Sequence, residues 1–142
     1  MGVRRDAREA AVQYLYQREI HGDESDTSID EFYQMRGLSP SGRSFCDELL
    51  RGWMEHRAEI DDAIRKSARN FEFKRLSAVD RNVLRVACQE ILFCPSTPPA
   101  VAINEAIEIA KKYSTGDSGK FVNGVLDNIR KEHAKLPSKP VE

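Results

Sequence analysis

The chain has 142 residues, 40% of them hydrophobic and 32% charged, with a formal net charge of −1. That length points to one domain with its own core, in no need of a stabilising metal or disulfide. No apolar run approaches the roughly 20 residues that cross a bilayer, and Arg4 and Arg5 precede no apolar stretch of a secretory signal.

Apolar spacing is helical almost throughout. A first helix is expected from about Arg4 to His21, stopped by Gly22, followed by a polar loop over 22–28. A short helix over Ile29–Arg36 ends at Gly37. A longer one starts near Ser41, carries Phe45, Leu49, Leu50 and Trp53, and breaks near His56. The next passes through Ile60 and Ile64 to about Asn70, with a connector over Phe71–Arg75. Ser77 and Asp80, three apart, resemble a capping box with Asp in place of Glu. The helix behind them carries Val79, Val83, Leu84, Val86, Ala87, Cys88, Ile91 and Leu92 around most of its circumference, so it should be the most buried. Pro95, Pro98 and Pro99 end it. A helix over about Ala100–Tyr113 turns Ile103, Ala106, Ile107 and Ala110 inward, with Gly116 as its stop. The last begins near Ser118 and buries Val122, Val125, Leu126 and Ile129. Residues 1–133 read as one all-α domain, and 134–142, with two prolines, as a flexible tail.

Three cysteines without a CxxC pair suit neither a disulfide framework nor a zinc site, and suggest a reducing cytoplasm. No catalytic constellation stands out, and no metal or cofactor is expected. Gly116-Asp117-Ser118-Gly119-Lys120 fails as a phosphate-binding loop. Ser114 stands where the first glycine belongs, Phe121 follows the lysine, and no strand precedes it.

Charge is uneven. Residues 1–20 carry +1, residues 111–139 carry +4 and residues 21–110 carry −5. A polyanion contact built from the two ends fits this pattern, as do ordinary solvated helix faces. On the first helix, Arg5, Arg8, Val12 and Tyr16 form a stripe away from the inward face of Ala7, Ala10, Ala11, Tyr14 and Leu15. Arginine forks fit phosphate, and tyrosine suits an interface. Phe121 sits about 90° from the inward face of the last helix, beside Lys120, where an aromatic can stack on a base or cover the core edge.

Five segments in register resemble the NusB family of transcription antitermination factors. They are Arg4–Tyr16, Asp80–Arg85, Val101–Glu108, Ala110-Lys111 and Lys120–Asp127, and they span nearly the whole chain. The resemblance implies about seven helices in two packed three-helix bundles. It implies binding of boxA-type single-stranded RNA, a heterodimer with NusE (a small-subunit ribosomal protein), and a place in an RNA polymerase antitermination complex, notably on ribosomal RNA operons. Carried over by motif position, Arg4, Arg5, Arg8, Asp117, Lys120 and Phe121 match the RNA-binding segments, while Tyr16 and Asp80 match the partner surface. Asp6 interrupts an arginine cluster that is often denser in the family, which implies fewer phosphate contacts and a shallower salt dependence. A related helical domain fronts some ribosomal RNA cytosine methyltransferases. This sequence carries no cofactor-binding α/β region after it, so a non-enzymatic role is expected.

Overall fold

The structure is a computed structural model that describes residues 2–22, 28–68, 76–114 and 116–135. Those residues form seven α-helices and no strand: α1 (Val3–His21), α2 (Ile29–Arg36), α3 (Pro40–Glu55), α4 (Arg57–Ala68), α5 (Ala78–Phe93), α6 (Pro99–Tyr113) and α7 (Ser118–Ala134). The expected connector over 71–75 and all but the start of the expected tail lie outside the described residues.

Local chemistry sets the helix ends. The Ser28 hydroxyl accepts from the Glu31 amide at 3.1 Å, and Gly37, at φ +72°, closes α2 by donating its N–H to the Tyr33 carbonyl. Pro40 opens α3 one residue earlier than expected, since a proline at the first helical position forfeits no bond; Ser39 caps it through Gly42. Pro99 does the same for α6. The break between α3 and α4 falls at His56, whose ring stacks on Phe93 with centroids 3.7 Å apart. Gly116, expected as the stop of α6, lies beyond its cap Ser114 and takes φ +58° in the turn before α7.

Packing divides the chain into two three-helix units. In the first, α1 packs along α3 while α2 is held through side chains. The Tyr14 and Phe32 rings meet edge to face at 5.2 Å, Arg36 donates to Gln13 and Asp6, and the Tyr33 hydroxyl donates to Asp47. In the second, α5, α6 and α7 contact one another, and α4 lies across α5 and α7. The seam between the units is α5 against α1 and α3. Accordingly every residue of α5 from Asn82 to Ile91 is buried, polar ones included. Arg85 forks onto Asp61 at 3.0 and 3.1 Å, carrying the seam to α4.

Most of the expected inward residues occupy the core, but Tyr14, Val79, Leu92 and Ile107 are only partly buried, and on α6 Ile109 takes the deep position. The three cysteines are free and buried, and burial pushes each thiol up to about 12.

Candidate nucleic-acid and partner interface

The amino end of α1 carries the arginines, and the structure treats each differently. Arg4 is exposed. Its guanidinium lies 4.4 Å from the Phe45 ring centre and reaches the buried Thr97 hydroxyl at 3.5 Å. Arg5 is exposed and forks onto Glu105 of α6, at 2.7 Å from Nε and 3.2 Å from Nη2. That ion pair holds the Glu105 carboxyl below its usual range and raises Arg5, with Glu108 and Glu9 adding to the negative field around the guanidinium.

Arg8 corrects the expectation of an outward stripe. It is 4% exposed and forks onto the equally buried Glu90 of α5, at 2.9 and 2.7 Å, with its guanidinium 5.3 Å from the Phe45 ring centre. Val12 is buried as well, so Arg5 and Tyr16 are the exposed members of the four. The cause is position: α1 is gripped by α3 on one side and α5 on the other, so burial runs unbroken from Ala7 to Val12.

The second cluster lies at the start of α7. Asp117 is exposed and occupies the N-cap without a side-chain cap bond; its carbonyl accepts from the Phe121 amide at 3.1 Å. Lys120 is exposed, and Phe121 is partly buried, packed at the core edge. The two clusters belong to different helices. Helix α6 stands between them, meeting α1 through Glu105 and through Lys112, which donates to Glu9 at 3.1 Å. On its other flank Ile107 and Lys111 lie against Gly119. Arg5 thus meets one flank of α6, and Lys120 and Phe121 follow Gly119, which lies against the other.

Tyr16 is 39% exposed, on a mostly apolar groove of about 400 Å³ that it lines with Val12, Val79 and Tyr113. Asp80 is next to Val79 but less outward than its match to a partner surface suggests. It is half-buried, its amide donates to the cap residue Ser77, and its carboxylate accepts from the Ser118 hydroxyl of α7 at 3.2 Å. The other carboxylate oxygen is buried without a hydrogen-bond partner. Asp80 therefore ties the groove to the first turn of α7.

Sequence reasoning missed Glu105, Glu9, Lys112 and Tyr113. Helical spacing shows which side of α6 is polar, but not which carboxylate meets which cation across the fold. The described residues include no helix long and apolar enough to cross a membrane.

The model of the NusB family matches residues 5–131. The transcription antitermination protein NusB of Geobacter sulfurreducens is 44% identical over 140 residues, covering 98% of this chain and 99% of that one. Its counterpart from Sorangium cellulosum is 43% identical over 129 residues, covering 91% and 92%. Among solved structures, T. maritima NusB superposes with a TM-score of 0.82 at 41% identity, covering 92% of each chain. A crystal structure of the antitermination factors NusB and NusE in complex with double-stranded RNA gives a TM-score of 0.83 at 30% identity, covering 93% of this chain and 98% of that one. With the family's model matched from the arginine helix into the last turn of α7, and the fold shared with its solved members, the chain belongs to the NusB family.

Proposed function

We propose that this protein is a non-enzymatic transcription antitermination factor. In this reading residues 1–133 act as one unit in the cytoplasm, binding boxA-type single-stranded RNA together with NusE inside an RNA polymerase complex, notably on ribosomal RNA operons. One observation supports it above the others: exposed Arg4 and Arg5 on one flank of α6, and exposed Lys120 beside half-covered Phe121 on the other. Guanidinium forks bind phosphate, while an aromatic ring at the core edge can stack on an unpaired base. In this reading Asp117 borders the RNA at the turn. Arg8, locked on Glu90, serves RNA indirectly by holding α1 in place. Tyr16 and its apolar groove receive NusE, and Asp80 contributes from the groove's edge.

The test is a titration of labelled boxA-like, scrambled and duplex RNA, with and without NusE. Phosphate contacts are blind to sequence, so Arg5→Ala should weaken boxA-like and scrambled strands by similar factors and shallow the salt slope by up to about 0.7. Phe121→Ala should cost about 1–3 kcal/mol if the ring stacks on a base. If both substitutions leave RNA affinity unchanged, alone and with NusE, the protein is a pure protein adaptor.

The partner surface has its own test. Tyr16→Asp should weaken NusE binding while leaving the thermal melt nearly unchanged, because Tyr16 is exposed and hangs outside the core. A large loss of stability with intact NusE binding would assign Tyr16 to the core instead.

A further inference from the structure

The Arg5 fork is already occupied. Both of its bonds to Glu105 use Nε and Nη2, the side-on edge at which a phosphate also forks. Carboxylate and phosphate each present a pair of oxygens to a guanidinium edge, so the two compete for one set of donors. The partners are unequal. The Glu105 side chain is 18% exposed and seated on α6 beside the buried Ala106, while the Arg5 side chain is 45% exposed. The carboxylate is the more enclosed half and the guanidinium the more open one. Arg8 has the same kind of fork, but sealed in the core, where no phosphate reaches it. Arg4 rests on a ring and a hydroxyl, with no carboxylate bonded to it among the described residues.

We propose that Glu105 is an intramolecular competitor for RNA phosphate at Arg5, which lowers the sequence-blind part of RNA binding and leaves selection to the base contacts. The inference rests on the RNA-face reading above. Its physical content is that RNA gains at Arg5 only the difference between a phosphate and the carboxylate it displaces. A neutralised arginine also releases fewer nucleic-acid counterions when it binds, so the salt slope is shallower than the number of exposed cations suggests. Glu108 and Glu9, which also act on Arg5, deepen the effect without occupying the fork.

The experiment compares Glu105→Gln, Arg5→Ala and the double variant, using one labelled boxA-like single strand and one scrambled strand across a salt series. Because an exposed ion pair is worth little, Glu105→Gln should tighten both strands by about two- to fivefold. It should steepen the salt slope by up to about 0.7. In the Arg5→Ala background that gain should vanish. A gain that persists there means simple removal of a negative charge and overturns the competition. A loss of affinity on Glu105→Gln overturns it too, and makes Glu105 a brace that presents Arg5. If Arg5→Ala alone leaves affinity untouched, the RNA-face reading of Arg5 falls and the competition with it. Glu105→Ala, which removes the acceptor altogether, must reproduce the gain if the fork is the cause. Thermal melts of every variant should stay close to the parent, since the pair lies at the surface.

Discussion

Arg8→Ala is expected to lower the stability of this protein by about 3–5 kcal/mol, because it strands a buried carboxylate. Glu90 is 1% exposed and its two oxygens are held by the Arg8 fork at 2.9 and 2.7 Å. Removing the guanidinium leaves a charge in the α1–α5 seam with neither water nor a cation to meet it. For a chain of this size the melt should fall by roughly 10–20 °C. Arg8→Met with Glu90→Leu removes both charges and should recover most of the loss, as buried pairs replaced by apolar groups usually do. Urea denaturation of the three proteins decides the matter. If Arg8→Ala melts with the parent, the seam is not held by this pair. Any loss of RNA affinity in Arg8→Ala should be regained in the double variant, because on this geometry the residue positions α1.

Leu84→Ala is the second large effect, expected at about 2–5 kcal/mol. Leu84 is fully buried in the middle of α5, the helix that touches α1, α3, α4, α6 and α7. Leu84 is among the largest fully buried side chains, so a void there closes only if helices packed around α5 shift. The urea midpoint should fall while the slope of the transition is kept, and the far-UV spectrum should remain helical. A loss below about 1 kcal/mol would mean that the seam relaxes freely, against the close packing of a core.

Much of the fold was legible because each helix declares its own inward face. Leu49, Leu50, Leu84, Val125 and Leu126 repeat at helical spacing and are all buried. Serines at 28, 39 and 77 each cap a helix start. What spacing cannot show is a helix with two buried sides. Arg8 and Val12 look outward on a wheel drawn for α1 alone, yet α3 and α5 enclose that helix from different directions. A clue was nonetheless present. Arg85 and Glu90 are charges set in the most apolar stretch of the chain, and a charge so placed needs a partner from elsewhere. The interface was legible in part. Tyr16, Lys120 and Phe121 have the exposure their positions implied, and Arg5 is exposed but paired. The match across α6 that brings Glu105 to Arg5 joins residues a hundred positions apart, which no local periodicity encodes.

Cys46, Cys88 and Cys94 lie on α3, on α5 and just beyond α5, each at most 2% exposed and each held in the unreactive thiol form. They therefore form a built-in clock. A thiol reagent added to the native protein should modify none of them faster than the packing around it opens. The rate of labelling, followed residue by residue by mass spectrometry, would then time how often each region of the core opens. A ligand that braces one of those regions should slow the thiol within it and leave the others at their own pace.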